Sequence, residues 1–174
     1  MNQRLAQKLL IFILSIGLTF FFTGCGTVQH NLNFQNNYAP PANTKIEVGS
    51  VTNQTGQTFN DVNVEQLLSD ALAEALRKED LLWAGGGSRK LVLTSKIAEY
   101  EPGNAFKRWL LPGWGSTVLT VQGDLKEGDR LVGSVEARRT VSIGGGYTIG
   151  AWRTIFASVA NDMVSDLRSQ IQKQ

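Results

Sequence analysis

Side chains that usually carry nucleophilic or metal chemistry are scarce in this chain of 174 residues, which has one cysteine, Cys25, and one histidine, His30. A Ser-His-Asp or Cys-His site needs a histidine in the folded domain, and ordinary zinc sites need several imidazole or thiolate ligands. His30 lies in an amide-rich stretch, where we expect it to be solvated. The sequence therefore predicts no catalytic residue of these classes, no bound metal and no cofactor.

Two carboxylates offer a different chemistry. Glu99 and Glu101 are two residues apart on a predicted strand, so they share a face at a separation of roughly 7 Å. That separation is compatible with glycoside hydrolysis by paired carboxylates. The pair keeps open a glycan or peptidoglycan binding or hydrolysing protein, whereas the plainer interpretation is a solvated strand end without enzymatic activity.

Two glycine-rich stretches are candidates for phosphate binding. Gly85–Ser88 lacks the Lys-Ser/Thr ending of a phosphate loop, and this favours a flexible turn. Gly144–Gly150 precedes a predicted helix, where backbone amides could cradle an anion. A flexible turn is the alternative there too.

The segment 102–115, between two predicted strands, is unusually rich in aromatic residues. If it is exposed, it forms an apolar patch typical of protein or membrane contacts, and its two bases favour an acidic partner or lipid phosphate. The alternative is that the segment folds over the sheet edge and its tryptophans complete the core. The residues of this candidate partner-binding loop are Phe106, Lys107, Arg108, Trp109, Leu110 and Trp114.

The first 24 residues have the order of a secretory signal peptide. Arg4 and Lys8 precede a charge-free apolar run over Leu9–Phe22, and Thr23, Gly24 and Cys25 follow. As a helix the 14 residues of that run would reach about 21 Å, against roughly 30 Å of membrane hydrocarbon. The sequence therefore predicts cleavage and export, not a permanent membrane span.

The residues from Phe22 to Cys25 resemble the lipobox of bacterial lipoproteins, although most lipoboxes have Leu, Val or Ile where this chain has Phe22. The resemblance implies a diacylglycerol thioether on Cys25 and an acyl group such as palmitate on its freed amine. Two or three acyl chains hold a protein on a membrane almost permanently. Because Gly26 follows in place of an aspartate, the resemblance implies the outer membrane, with the protein facing the periplasm.

After the signal peptide the chain carries no net formal charge. Arg4 and Lys8 belong to the segment that is removed, and the remaining 15 bases balance 15 acids. A balanced, mixed-sign chain has no electrostatic footprint for nucleic acid. Residues 25–43 are rich in amides and contain two adjacent prolines, so they predict a lipidated N-terminus and a flexible linker, with a reach of roughly 25 Å.

Residues 44–174 predict one globular domain with two helices. A helix capped by Asn60 or Asp61 runs to about Lys78, and a second helix has an apolar stripe from Trp152 to Ile171. The fold class is α+β: a mixed or antiparallel sheet of four to five strands with two amphipathic helices packed on it. The predicted strands are Lys45–Val51, Leu81–Trp83, Lys90–Tyr100, Ser116–Leu125 and Leu131–Ser142, the last two joined by a turn at Lys126–Asp129.

Several of these features together resemble a bacterial lipoprotein family, domain of unknown function 4410. They are the lipobox, the first strand and long helix, the Gly113-Trp114-Gly115 turn, the hairpin at Asp124–Gly128, and Gly144–Gly146 before the last helix. The family's architecture is similar to the N-terminal domain of the translocation protein TolB and to lipoprotein activators of cell-wall synthases. The resemblance implies a membrane-anchored envelope lipoprotein that acts as a protein-interaction or assembly module in the periplasm, with an envelope protein as partner and no known reaction.

Overall fold

The computed structural model describes residues 27–35, 38–41, 43–86, 89–110, 114–142 and 150–172. The predicted signal peptide, the lipidation site Cys25 and the glycines 144–146 lie outside these residues. Within the described part of the chain, no helix is both long enough and apolar enough to cross a membrane.

Within the described residues, the domain has one five-stranded sheet and three helices, which confirms the α+β prediction. The strands lie side by side in the order β1-β5-β4-β3-β2, and only the β2–β3 pair is parallel, so the sheet is mixed. The strands are β1 Thr27–Phe34, β2 Lys45–Asn53, β3 Lys90–Glu101, β4 Thr117–Glu127 and β5 Arg130–Val141; the helices are α1 Val64–Lys78, α2 Ala105–Leu110 and α3 Ala151–Gln172.

Helices α1 and α3 cover one face of the sheet and bury its apolar side chains. Their buried residues recur at helical spacing, which is the pattern that predicted both helices. Arg139 of β5 fastens α3 to the sheet through two hydrogen bonds to Asp162, at 2.5 and 2.8 Å. The other face of the sheet carries polar side chains, as is usual for a sheet with one solvated face.

Helix α1 begins later than the sequence predicts. Its cap is Asn63, whose Oδ1 accepts a hydrogen bond from the Gln66 amide at 2.8 Å. The predicted caps, Asn60 and Asp61, instead lie in a turn closed by a bond from the Val62 amide to the Phe59 carbonyl. Phe59, at the beginning of this turn, packs against Tyr100 with ring centroids 4.9 Å apart.

The linker prediction for residues 25–43 is wrong over Thr27–Phe34, which form the edge strand β1. All eight residues pair with β5 in antiparallel register. Leu32 and Phe34 are partly buried against the core, and Phe34 also packs on Tyr38 with ring centroids 5.8 Å apart. These apolar contacts stabilise a strand whose amide-rich sequence has low strand propensity.

The predicted strand Leu81–Trp83 is reduced to a single bridge. Ile46 of β2 accepts a hydrogen bond from the Trp83 amide and donates one to the Leu81 carbonyl, and no longer ladder forms. The segment follows α1 directly, with Asp80 at a φ of 54°, so the chain turns sharply before it reaches the sheet. Leu81–Trp83 therefore covers the outer edge of β2 at one point.

The two ends of the sheet carry different side chains, and each end is named after one of its residues, Thr27 or Lys90. The Thr27 end comprises the start of β1 and β4 and the final residues of the other three strands, Asn53, Glu101 and Val141. The Lys90 end holds the opposite termini of the same five strands. Both long helices begin at the Thr27 end, because α1 follows β2 and the Tyr100 hydroxyl donates to the Trp152 carbonyl.

We expect Gly133→Val to lower the free energy of unfolding by about 1–3 kcal/mol, because an added side chain overpacks this site. A Cβ at Gly133 would lie 2.7 Å from Cδ1 of Phe34 and 3.0 Å from the carbonyl oxygen of Asn33. Urea unfolding measures the change. The exposed neighbour Ser134, changed to valine, is the control and should stay within about 0.5 kcal/mol of wild type. A Gly133→Val protein as stable as wild type would contradict the pairing of β1 with β5.

Candidate functional site

The aromatic segment 102–115 crosses the Thr27 end between β3 and β4 and is closed by its own hydrogen bonds. The Asn104 side chain accepts from the Lys107 amide at 3.0 Å, where α2 begins, and the Asn104 amide donates to the Gly115 carbonyl at 2.8 Å. The Thr117 hydroxyl donates to the Pro102 carbonyl at 2.9 Å. The predicted loop therefore contains a short helix, and hydrogen bonds join the beginning of the segment to its end.

Gly115 allows the chain to return closely beside α2. Its φ is 72°, and a Cβ there would lie 2.7 Å from the Lys107 Cβ and 2.9 Å from the Asn104 carbonyl oxygen. Both the positive φ and the close approach require glycine. The position of α2 is thus fixed by backbone geometry.

Three apolar side chains of this segment are exposed. Phe106 is 64% exposed, Leu110 46% and Trp114 48%. The ammonium group of Lys107 lies 5.4 Å from the Trp114 ring centroid, within cation–π range. The side chains of Arg108 and Trp109 are not among those that the structure describes, so their predicted role in partner binding stays a prediction. At the three described positions the apolar residues form a surface patch and do not complete the core.

A groove of about 500 Å³ lies at the same end of the sheet, lined by side chains from the turn before α1, from β3 and from α3. Phe59, Tyr100, Pro102 and Trp152 supply its apolar walls, and Asp61 a carboxylate. Tyr100 is buried and its hydroxyl donates to the Trp152 carbonyl at 2.8 Å. Burial raises the pKa of Tyr100 to about 12.

The two carboxylates of the alternative function have separate partners. Glu99 accepts hydrogen bonds from Arg138, at 3.2 Å to both nitrogens, and from the Thr120 hydroxyl at 2.8 Å. Glu101 accepts from Gln57 at 3.3 Å. Both lie on the face of the sheet away from the long helices, and neither lines the groove. Glu99 is thus part of an ion pair with Arg138, and Glu101 has the uncharged partner Gln57. Both sequence interpretations of the two carboxylates stay predictions.

His30 is not solvated on all sides, as the linker interpretation had it. Its Nδ1 lies 2.6 Å from the Asp166 Oδ2 on α3, so β1 and α3 are joined at this point.

Among the residues that the structure describes, no three His, Cys, Asp or Glu side chains are grouped so as to hold a metal ion. Gly85 and Gly86 have φ values of 97° and 109°, as a glycine turn requires.

Sequence reasoning missed two contributors to the Thr27 end. Trp152 was assigned to the buried stripe of α3, but it lies in the first turn and is 37% exposed. Val28 was assigned to the linker and is 42% exposed on β1. The position of Val28 at this end of the sheet follows from the pairing of β1 with β5, and the amide-rich sequence does not predict that pairing.

Comparison with known proteins identifies structures of similar fold and a matching family. A PelC dodecamer from Paraburkholderia phytofirmans is similar with a TM-score of 0.53 and 18% identity, over 81% of this chain and 96% of that one. A protein from Xanthomonas campestris, described as DUF330, has a TM-score of 0.52 and 12% identity over 76% and 89%. These identities show the fold alone. No curated protein matches the chain. The family model described as domain of unknown function (DUF4410) matches residues 32–145.

The raised pKa of Tyr100 predicts a loss of stability at high pH. Unfolded tyrosine titrates near pH 10, so between pH of about 10 and about 12 the unfolded chain gives up this proton while the folded domain keeps it. The free energy of unfolding therefore falls across this window. For Tyr100→Phe, the free energy of unfolding should fall less steeply with pH. It should also be lower by about 1 kcal/mol at every pH, because the hydrogen bond is missing. Urea unfolding across the window is the measurement, and parallel pH profiles for the two proteins would contradict the assignment.

Proposed function

The chain belongs to the family described as domain of unknown function DUF4410, and from this premise we propose an envelope lipoprotein whose α+β domain is an assembly module in the periplasm. The lipid anchor is Cys25, and the domain has no reaction of its own. It works by contacting protein, first of all other copies of this chain. The observation that carries the proposal is the open edge of β1.

In the part of the chain that the structure describes, the edge of β1 lacks the features that normally protect a sheet edge. Native sheets block free edges with charges, proline, bulges or covering segments, because unpaired backbone groups bind further strands. Thr27–Phe34 contains no Lys, Arg, Asp, Glu or Pro, and its only strand neighbour in the described part of the chain is β5. Such an edge is suited to accept a strand from another molecule.

The opposite edge of the sheet is better protected. Strand β2 carries Lys45 and Glu47, its register shifts between Val48 and Val51, and Leu81–Trp83 bridges it at Ile46. The charges and the bridge lie at the beginning of β2, whereas Val48–Asn53 carries no charged side chain. This later part of the strand can therefore accept a partner strand.

A second copy of this chain is the partner we propose for β1. Strands β1 and β2 run antiparallel to each other across the sheet, so β1 of one copy can pair with the free part of β2, Val48–Asn53, of the next without reversing it. Such a head-to-tail contact can close into a ring. The PelC structure of similar fold is a dodecamer, which supports assembly as a use of this architecture.

The lipid anchor is tested by Cys25→Ala. In bacteria fed labelled palmitate, we expect the wild-type protein to be labelled and the variant to be unlabelled and to keep its signal peptide, because the acylated sulfur is gone. Intact-mass measurement of both products is the readout. Normal labelling of Cys25→Ala would show that the lipid is not on this residue.

The assembly contact is tested by Asn31→Lys, which places a charge at the middle of the β1 edge. We expect oligomers of the full lipoprotein in mild detergent to shift towards monomer in native mass spectrometry, because a lysine disfavours strand addition. Gln122→Lys is the matched control: Asn31 and Gln122 both lie opposite Glu136, but Gln122 is on the central strand β4. A monomeric wild-type protein, or equal effects of the two lysines, would contradict the proposal.

A further inference from the structure

We infer that the Thr27 end of the domain lies on the bilayer itself, with the exposed residues of the 102–115 segment in contact with the lipid headgroups. This inference rests on the lipid anchor of the proposed function and adds an orientation and a second membrane contact to it. The occupant of the patch is thus a lipid surface.

The first argument is the distance between the anchor and the strand. Only Gly26 separates Cys25 from Thr27, the first residue of β1. Two residues of extended chain span at most about 7 Å, far less than the reach of roughly 25 Å of an 18-residue flexible linker. Because β1 is hydrogen-bonded along its length to β5, no further residues can extend towards the membrane unless these hydrogen bonds break. Acyl chains on Cys25 therefore hold the Thr27 end close to the lipid.

The second argument is the distribution of exposed apolar side chains. The described residues include six exposed large apolar side chains, and only Leu131 lies near the Lys90 end. The other five lie at the Thr27 end, on β1, in the 102–115 segment and at the start of α3: Val28, Phe106, Leu110, Trp114 and Trp152. Scattered exposed apolar residues need no explanation, but a cluster at one end marks a contact surface.

The third argument is the charge at the opposite end. Arg89 and Arg130 both contact Glu127 there, Lys45 pairs with Asp80 at 3.0 Å, and Lys90 pairs with Glu47 at 2.5 Å. Charged side chains hydrogen-bonded to one another and to water suit the face that points away from a membrane. In the described residues the exposed large apolar side chains are thus concentrated at the Thr27 end, which also carries the Arg138–Glu99 pair, and the Lys90 end carries several ion pairs.

The chemistry of the patch favours lipid over protein. Trp114 combines an apolar body with one N–H donor, the composition that concentrates tryptophan at membrane interfaces. Lys107 beside it supplies positive charge for lipid phosphate. Phe106 and Leu110 are four residues apart on α2, so they share one side of the helix.

The experiment uses the mature lipoprotein in vesicles of phosphatidylethanolamine and phosphatidylglycerol with brominated acyl chains, which quench tryptophan fluorescence at short range. The two variants to compare are Trp114→Phe and Trp83→Phe, the same change at opposite ends of the sheet. Trp83 is the matched control because Lys90 lies 4.0 Å from its ring, at the water-facing end. A third variant, Phe106→Trp, adds a fluorophore at the most exposed position.

We expect bromolipid to quench a smaller fraction of the tryptophan emission in Trp114→Phe than in wild type, because a quenched fluorophore is removed. In Trp83→Phe the quenched fraction should be larger, because that change removes an unquenched fluorophore. Phe106→Trp should increase the quenched emission. Flotation with the vesicles tests the anchor separately: a protein that does not float refutes the lipoprotein proposal. A protein that floats while Trp114 stays unquenched by bromolipid and open to aqueous iodide overturns this inference alone and leaves protein docking for the patch.

Discussion

One face of a single sheet is buried under two helices, and the rest of the structure depends on this one-sided burial. Helix α3 packs so closely on the sheet that a Cβ at Gly123 would lie 3.1 Å from the Met163 Cε. Because apolar strand positions point to the helices, the open face is left to hydrogen-bonded polar groups such as Glu99 with Arg138. The surfaces that we propose for assembly and membrane contact therefore lie at the edges and ends of the sheet.

The sequence predicted the elements whose apolar residues repeat regularly. Strand β3 alternates buried and partly exposed residues from Lys90 to Ile97, and α3 repeats buried residues at helical spacing, so both were located within one or two residues of their ends. The hairpin of β4 and β5 was also recognised, with Gly128 at a φ of 59° in its turn. In these elements local pattern and tertiary burial agree, so periodicity suffices to predict them.

The elements that the sequence did not predict are held by long-range contacts. Strand β1 has an amide or histidine at four of its eight positions, and its pairing depends on β5, about a hundred residues later. Helix α2 is six residues long, too short for periodicity to identify, and depends on Asn104 and Gly115. The aromatic patch was recognised as a candidate from composition, but its exposure follows only from where β3 and β4 end.

The lipid anchor that we propose at Cys25 lies directly before an edge strand, and this position restricts how copies can associate. Two β1 strands paired antiparallel about a two-fold axis would place the Thr27 ends of the two copies at opposite sides of the joint sheet. Acyl chains held within about 7 Å of each Thr27 could then not both reach one membrane with the strands upright. Pairing of β1 with β2 of the next copy keeps every Thr27 end on the same side, because the two strands run antiparallel within one domain. The proposed membrane contact and head-to-tail assembly are therefore compatible with each other, and neither is compatible with the antiparallel β1–β1 dimer.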